Sequence, residues 1–411
     1  MNTGKSRKGR RLFLKDPSLY QPTPNGTDAI ITANEKNHAR VRRLLAHAFS
    51  SKALYEQETL LHTYADLLVQ KVHEQIATSS AGTRVIDINQ WYNFTTFDLI
   101  GDLAFGEPFQ CLENEQYHWW VSLMFDAVRL SVYLKLLWFF PFLSMLLKLP
   151  LPRYLAERRN ASFQLSVEKV ARRLQRQTDR PDFMSYILKH NKGRYGLSTA
   201  EIEANAATFV LAGSETTSAL LSGCTYYLLT NPTTYTRLVH EIRGAFERQS
   251  DIKLSSIATL PYLNAVLEES MRIYPPIPTM LPRIVPAGGA IINGQFVPEG
   301  TSVAISLWST LHSSTHFTDA DSFLPERWLA NDPTSKFALD NKDAFQPFSY
   351  GPRNCLGQHL ANAEMRLILT KVLYNFDLEL LSESNDWAKQ EMYNLWSRPA
   401  LKVRVFRAGS R

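Results

Sequence analysis

Cysteine is scarce in this chain of 411 residues, and its arrangement suits neither disulfide bonds nor zinc. The three cysteines, Cys111, Cys224 and Cys355, lie far apart and are odd in number, and the sequence contains no CxxC pair or Cys/His cluster. This pattern argues against a disulfide framework and a structural zinc site, and it favours a reducing compartment.

Long apolar runs are also missing. The N-terminus, MNTGKSRKGRRLFLK, has no apolar stretch behind its charges, which argues against a signal peptide and a membrane anchor. One apolar block lies at 129–154, but its charge-free core, Leu136–Leu147, is shorter than the roughly 20 residues that a spanning helix needs. We expect this block to dip into a bilayer surface with Lys135 and Lys148 at its ends; a buried helix pair broken at Pro141 is the alternative.

Charged residues make up only 20% of the chain and hydrophobic residues 45%, which indicates a globular protein. The net charge of +6 is not spread evenly along the chain. Residues 1–60 hold eleven Lys and Arg but only five Asp and Glu, so their positive surplus equals the net charge of the whole chain. No nucleic-acid-binding motif accompanies this surplus. We therefore interpret it as a solvated basic face or a docking site for an acidic protein, and we expect no nucleic-acid partner.

Helical periodicity covers most of the chain, and strand signals cluster towards its C-terminal end. AIINGQFV at 290–297 predicts a tight hairpin around its Asn-Gly pair, and further strands are predicted at 301–308 and 401–406. No domain boundary or internal repeat is evident, so we predict one mainly α domain, residues 1–411, with a small β-sheet. The predicted helices are 37–76, 95–130, 153–190, 198–230, 233–248, 262–274 and 356–374.

The stretch FSYGPRNCLG at 348–357 places Cys355 in a glycine-rich loop directly before a helical pattern. Free N–H groups and the helix dipole favour a thiolate at that position. Gly351 and Gly357 carry no side chain, so a flat group can approach the main chain, and Phe348 could shield the sulfur from water. Because thiolate is a strong iron ligand that promotes oxygen activation at haem, we predict Cys355 to be an iron ligand; an inert buried cysteine is the alternative.

This loop resembles the haem-binding loop of the cytochrome P-450 monooxygenases, and three further motifs resemble that family in the same order. The first is the E-x-x-R motif in LEESMR, whose Glu269 and Arg272 share a helix face and can form a bidentate ion pair. The second is Arg327 in FLPERW, which is similar to the arginine that completes this network. The resemblance implies a structural role, in which the network clamps the loops around the cysteine.

The third motif lies in the helix predicted at 198–230, which an S-x-x-E capping box begins. Its apolar centre contains Gly213, Glu215 and Thr216, although a buried carboxylate and a helical glycine are both unfavourable. The stretch AGSETT resembles the family's oxygen-binding kink over the haem. The resemblance implies that Thr216 assists protonation of dioxygen and that Glu215 relays protons; close packing of small residues between helices is the alternative.

Haem carries two propionate groups that need cations, and four residues are similar to those that bind them in the family. Arg353 lies two residues before the cysteine, and His38 and Arg42 resemble a propionate-binding pair on one helix. Arg283 follows the E-x-x-R helix at another such position. The segment PPIPTMLP at 275–282 resembles the part of the family that lines the substrate pocket.

The resemblance extends from about residue 13 to the C-terminus and is nearest to fungal monooxygenases of secondary metabolism. It implies a haem b enzyme, with Cys355 as axial ligand, that oxidises an apolar small molecule with dioxygen. Electrons would come from NADPH through a partner reductase, which we expect to dock near Arg40, Arg42 and Arg43. Two alternatives stay open: a haem-thiolate isomerase or dehydratase, against which the proton-delivery residues argue, and a non-catalytic haem-binding relative.

Only 37 residues precede His38, which leaves no room for the membrane helix and first strands with which family members usually begin. We therefore expect either a cytochrome P-450 fold that is shortened at the N-terminus or a protein whose gene begins upstream of this first methionine. Attachment to the cytosolic face of the endoplasmic reticulum would then be peripheral, through residues 129–154.

Overall fold

The computed structural model describes residues 12–121, 140, 142, 151–176, 178, 180–191, 193, 195–329 and 333–409. Its helices are α1 (Glu35–Leu45), α2 (Ser51–Glu56), α3 (Glu58–Ala77), α4 (Ile88–Phe105), α5 (Cys111–Asn114), α6 (Leu151–Gln175), α7 (Phe183–His190), α8 (Thr199–Thr230), α9 (Pro232–Ala245), α10 (Leu254–Ile257), α11 (Pro261–Ile273), α12 (Leu307–Leu311) and α13 (Gln358–Asn375). Its strands are β1 (Leu14–Lys15), β2 (Thr83–Asp87), β3 (Arg283–Ile284), β4 (Ala290–Ile292), β5 (Gln295–Val297), β6 (Ser302–Val303), β7 (Phe376–Leu380) and β8 (Lys402–Arg407).

The helix predicted over 37–76 is wrong as a single element, because the structure divides it into α1, α2 and α3. The break before α2 lies at Ser50, whose backbone is extended (φ −72°, ψ 157°) and whose hydroxyl accepts a hydrogen bond from the N–H of Ala53. Such a side-chain cap satisfies an otherwise unpaired amide and so competes with continuation of the helix.

The patterns over 95–130 and 153–190 are divided as well. α4 ends at Gly106, which has φ +69° and so adopts the left-handed conformation common after a helix. α7 begins after Asp182, whose carboxylate accepts the N–H of Ser185 at 2.8 Å. In contrast, α8, α9, α11 and α13 lie close to their predicted bounds.

The small sheets are antiparallel, and their strand orders are β1–β3–β6, β2–β8–β7 and β4–β5. The predicted hairpin is confirmed as β4–β5, since Asn293 (φ +49°) and Gly294 (φ +79°) have the positive φ values of a tight two-residue turn. The strand predicted at 301–308 is only β6, because the hydroxyl of Ser306 caps α12. The described residues thus contain three small sheets where one was predicted.

α8 packs along α4, which is buried on nearly all sides. Polar side chains join the two helices: the hydroxyl of Ser218 donates to the amide oxygen of Asn93 at 2.7 Å. A Cβ added at Gly213 would lie 2.7 Å from the side chain of Ile100, so this glycine allows close approach of the helices. The alternative interpretation of Gly213, a small-residue contact between helices, is therefore correct for its packing.

The apolar block at 129–154 lies largely outside the described residues. Of the aromatic residues in its core, the structure describes Phe140 and Phe142, and both are exposed. Among the helices that the structure describes, none combines the length and the apolar character needed to cross a membrane.

Candidate active site

The loop before α13 holds Cys355 by main-chain hydrogen bonds. The N–H of Cys355 donates to the carbonyl of Phe348 at 2.9 Å, and the N–H of Asn354 donates to the carbonyl of Gly351 at 3.0 Å. Gly351 has φ +85°, a value that favours glycine, and Ser349 has φ +61°. Tight backbone turns therefore fix the cysteine three residues before the helix begins.

The sulfur of Cys355 differs from the other two sulfurs in its exposure. Cys111 and Cys224 are fully buried, whereas the Cys355 side chain is accessible at the surface of the site. Protein atoms still crowd the thiol, so burial raises its pKa; the N–H of Gly357 and the charge of Arg42 lower it by less. The helix end thus does not by itself stabilise the thiolate, and metal coordination, which deprotonates a thiol, would supply the remainder.

Arg42 has a different partner from the one predicted. Its guanidinium donates to the carbonyl of Asn354 at 2.7 Å and to the side-chain oxygen of Asn354 at 2.6 Å. This bidentate contact joins α1 to the loop one residue before the cysteine. Arg42 therefore positions the loop, in addition to any role towards a propionate.

The other predicted propionate cations gather near the same loop. Arg353 donates twice to one oxygen of Glu35, at 2.8 and 3.1 Å, while its second terminal nitrogen is buried without a hydrogen-bond partner. His38 is buried, and burial together with Arg353 and Arg42 lowers its pKa to about 4, so it is neutral near pH 7. Burial also lowers the pKa of Arg283.

These observations fit a flat group that carries carboxylates. Cations outnumber carboxylates around the Cys355 loop, and an Arg353 N–H lacks a partner there. A Cβ added at Gly357 would meet only the ring of Phe49, at 3.8 Å, so the polypeptide leaves room beside the cysteine. Lys15 and Tyr20 also lie near this cluster. No sequence pattern indicated them, because strand β1 has only two residues.

The E-x-x-R pair forms the predicted network. Glu269 receives hydrogen bonds from Arg272 at 2.8 and 2.9 Å and from Arg327 at 3.1 Å, and all three side chains are buried. Arg327 also pairs with Asp340 at 2.5 Å. The indole N–H of Trp328 donates to Glu269 at 2.8 Å. Both oxygens of the buried Glu269 side chain thus accept hydrogen bonds, as the burial of a polar group requires, and the pair is not a surface contact.

Arg272 carries the network further into the chain. It donates to the carbonyls of Leu311 (2.9 Å), Ala320 (2.6 Å) and Ser322 (2.9 Å). One guanidinium thus fixes the end of α12 and the loop after it, in the part of the chain that leads into the cysteine loop.

Thr216 and Glu215, the two residues predicted to deliver protons, both lie on α8 but have different surroundings. Thr216 is half-buried, and its hydroxyl donates to the carbonyl of Ala212 at 2.7 Å within an uninterrupted helix. Glu215 is buried and pairs with Arg398 at 2.5 Å; its second oxygen has no hydrogen-bond partner. Burial raises the pKa of Glu215 and the charge of Arg398 opposes that shift.

Arg398 was not predicted from the sequence, since it lies far along the chain in SRPAL. It also donates to the hydroxyl of Ser218 (3.2 Å) and to Asn93 (3.3 Å). The three contacts join the C-terminal segment to α8 and α4.

α13, which follows the cysteine, touches α8 near the predicted oxygen site. The buried carboxyl of Glu364 on α13 faces the hydroxyl of Thr217 without a well-formed hydrogen bond, and burial raises the pKa of Glu364 to about 8. The ring of Phe49, which lies beside Gly357, also packs against Phe209 of α8. The two elements that carry the cysteine and the threonine therefore lie side by side.

Comparison with known proteins decides the family. A family model described as Cytochrome P450 matches residues 7–404. The chain belongs to the cytochrome P450 family. The predicted family and fold are thereby confirmed, and so are a haem cofactor with iron and the class of oxidoreductase.

Fungal relatives agree with this assignment. This cytochrome P450 is 47% identical over 402 residues to the cytochrome P450 monooxygenase astJ of Aspergillus oryzae, an alignment that covers 98% of the chain and 80% of the relative. It is 43% identical over 404 residues to efuB of Hormonema carpetanum, with coverage of 98% and 79%. It is 43% identical over 401 residues to the averantin hydroxylase of Dothistroma septosporum, with coverage of 95% and 74%.

The first prediction concerns the iron ligand of this cytochrome P450. Cys355→Ser should abolish the strongly red-shifted Soret band of the reduced carbonyl complex, because only a thiolate ligand produces it. Cys111→Ser and Cys224→Ser are the matched controls and should retain the band, since their sulfurs are buried away from the site. Retention of the band in Cys355→Ser would contradict the assignment.

The second prediction concerns the buried network. Glu269→Ala leaves two buried arginines without their shared carboxylate and should destabilise the fold by about 3–5 kcal/mol. We expect loss of haem incorporation, measured as haem per polypeptide. Asp386→Ala is the control, because it removes an exposed pair of the same i,i+3 spacing, Asp386–Lys389, and should leave the haem content unchanged. Full haem content in Glu269→Ala would show that the network is dispensable.

Proposed function

We propose that this cytochrome P450 inserts one oxygen atom of dioxygen into an apolar small molecule, as a step in fungal secondary metabolism. Its reducing electrons come from NADPH through a separate reductase. The observation that carries the proposal is that the helix following the accessible Cys355, α13, packs against α8, which bears Thr216 and Glu215. The relatives named as monooxygenases, one of them a hydroxylase, support the same class of reaction.

Haem, when bound, supplies the iron at which dioxygen is reduced and from which oxygen is transferred to the substrate. Cys355 is its proposed ligand, and the N–H of Gly357 and the charge of Arg42 stabilise negative charge on that sulfur. Arg353, His38 and Arg283 are proposed to hold the propionates, with His38 acting as a neutral hydrogen-bonding group.

Thr216 is the proposed proton-positioning residue. Its hydroxyl donates to the carbonyl of Ala212, so its oxygen keeps lone pairs that can accept a hydrogen bond from water. A hydroxyl in this state can hold a water molecule and pass on a proton to reduced oxygen. A methyl group in its place could do neither.

Glu215 is the proposed source of that proton, and its ion pair constrains how it can act. Arg398 occupies one carboxylate oxygen, and the other oxygen is free of protein partners among the described residues. Proton exchange would therefore take place at the second oxygen. Because burial raises the pKa of Glu215 while Arg398 opposes the shift, the carboxyl can gain and lose a proton at moderate cost.

The apolar character of the proposed substrate is supported by the segment at 275–282. Met280 pairs with Ser306 in an isolated antiparallel bridge, and Leu281 and Ile305 are the residues next to these two along the chain. All three apolar side chains of this patch, Met280, Leu281 and Ile305, are exposed. An apolar molecule over the haem would bury them, which is favourable by about 25 cal/mol per Å².

The proposed reductase face needs revision at two of its three arginines. Arg42 is engaged with Asn354, and Arg40 pairs with Glu201 and donates to the carbonyl of Gly196. Arg43 on the same helix is exposed. We therefore propose a docking face made of Arg43 together with the exposed lysines nearby, Lys36 and Lys52.

Location at the cytosolic face of the endoplasmic reticulum, through the block at 129–154, also stays a proposal. Replacing Leu137, Trp138, Phe139, Phe140 and Phe142 with serine should weaken pelleting with liposomes, because apolar area buried in the bilayer drives such binding. Leu339→Ser, at a position that is 94% exposed, is the control and should change nothing. Equal pelleting of all three proteins would rule out this block as the membrane contact.

The next prediction tests the proton chemistry. Thr216→Ala should leave haem content and substrate binding intact while more NADPH is converted into hydrogen peroxide and less into product. Thr208→Ala is the control, because the Thr208 hydroxyl makes the same kind of bond, to the carbonyl of Ala204 at 2.8 Å, two turns earlier on α8. Peroxide and product are measured per NADPH, with a substrate identified as the metabolite that accumulates when the gene is deleted. Unchanged coupling in Thr216→Ala would contradict the proposal.

A further inference from the structure

A lysine outside every predicted motif lies within the cation cluster of the haem site. Strand β1 pairs with β3 so that Lys15 is directly opposite Arg283, one of the proposed propionate cations. The ammonium of Lys15 donates to the carbonyl of Ile31 and lies 4.1 Å from the centre of the Tyr20 ring. These contacts hold the amine beside the cluster.

The groups that face Lys15 are mostly positive. Arg283 on β3 and Arg353 of the cysteine loop repel its charge, and Glu35 on α1 attracts it. That carboxylate is already engaged by Arg353 at 2.8 and 3.1 Å. The remaining titratable groups around this edge are His38 on α1 and, in the connection after β1, Asp16 and Tyr20.

Asp16 accepts hydrogen bonds from the N–H of Ser18 at 2.9 Å and from the hydroxyl of Ser302 at 2.5 Å, and its charge acts on Tyr20, whereas the carboxylate that acts on Lys15 and Arg283 is Glu35. The edge therefore combines three strong cations, Lys15, Arg283 and Arg353, with one carboxylate that is shared. Such a surplus is unfavourable unless an anion occupies the edge or the lysine loses its proton.

We propose that Lys15 is a further anchor for a haem carboxylate, and that loading of haem is coupled to protonation of this amine. Burial, followed by repulsion from Arg283 and Arg353, lowers the pKa of Lys15 to about 7, so near neutral pH much of it is uncharged. A carboxylate arriving at this edge cancels the repulsion and raises the pKa again. The amine then takes up one proton from solvent and forms an ion pair.

The direction of the pH effect follows from this coupling. Below pH 7 the amine is charged before and after loading, so the contribution of Lys15 to haem affinity is largest there and does not change with pH. Above pH 7 each loading event takes up a proton at this amine, so that contribution falls about tenfold for each pH unit until the amine of the loaded protein also titrates. The proton that the Cys355 thiol loses on binding iron is common to wild type and the Lys15 variants, so it cancels in their ratio. His38, with its pKa near 4, and Tyr20, whose pKa is raised, do not titrate in this range.

The test is the equilibrium partition of haem between the full-length protein and an apoglobin competitor, followed by absorbance from pH 6 to pH 9. Dividing the partition constant of each variant by that of the wild type at the same pH cancels the pH dependence of the competitor. Lys15→Arg should bind as tightly as wild type at pH 6 and more tightly above pH 7, because its charge is permanent. Lys15→Met should bind at least tenfold more weakly at pH 6 and approach wild type by pH 9.

Lys189→Met is the matched control, since it removes an exposed lysine charge on α7, outside this cluster, and should follow wild type at every pH. The dimethyl ester of haem, which lacks free carboxylates, is the second probe. Wild type and Lys15→Met should bind the ester equally if Lys15 contacts a carboxylate.

Parallel pH profiles for wild type, Lys15→Arg and Lys15→Met would overturn the proposal. Equal loss of the native haem and of the ester in Lys15→Met would also overturn it, because the lysine would then act on the fold alone. The outcome does not depend on whether Thr216 and Glu215 deliver protons, since haem binding is measured without turnover.

Discussion

A loop made of tight turns has little packing of its own, and the charge network around Glu269 supplies the support that it lacks. Glu269 on α11 accepts hydrogen bonds from two arginines and an indole, and those arginines extend to the loops between α12 and the cysteine. Each guanidinium nitrogen of Arg272 and Arg327 that loses its hydration in this buried site donates to an acceptor there. These hydrogen bonds offset the cost of removing Glu269 and the two arginines from water. The loop of Cys355 is itself held by its main-chain hydrogen bonds and by the contact between Arg42 and Asn354.

Three buried carboxyl groups near the site differ in the number of cations that they meet. Glu269 has two arginines, Glu215 has Arg398 alone, and Glu364 on α13 has no charged partner among the described residues. With no cation to oppose it, burial raises the pKa of Glu364 to about 8. Burial also raises the pKa of Glu215, where Arg398 opposes the shift, and at a pKa of about 8 Glu364 is mostly neutral near pH 7.

The positive edge of the site has the opposite imbalance. Lys15, Arg283 and Arg353 share the single carboxylate of Glu35, and an N–H of Arg353 has no partner. The same low-polarity surroundings that make a lone carboxyl neutral also make a crowded lysine lose its proton. A dianionic cofactor relieves this repulsion, which links the binding of haem to the charge state of the protein.

Features that depend on neighbouring residues in the chain were predicted well from the sequence. The capping box of α8 forms both of its hydrogen bonds, and the Asn-Gly pair makes the expected turn, because the groups involved lie within three residues of each other. The pair of Glu269 and Arg272 belongs to the same class. The family resemblance of the cysteine loop, confirmed over nearly the whole chain, added the haem, which no local pattern contains.

Tertiary structure alone decided the partners that come from distant parts of the chain. The pairing of Glu215 with Arg398 joins residues 183 positions apart, and β1 becomes a strand of two residues only because β3 lies beside it. Local hydrogen bonds are encoded by spacing, whereas charge compensation in a buried site depends on which segments the fold brings together, and a linear pattern does not contain that information.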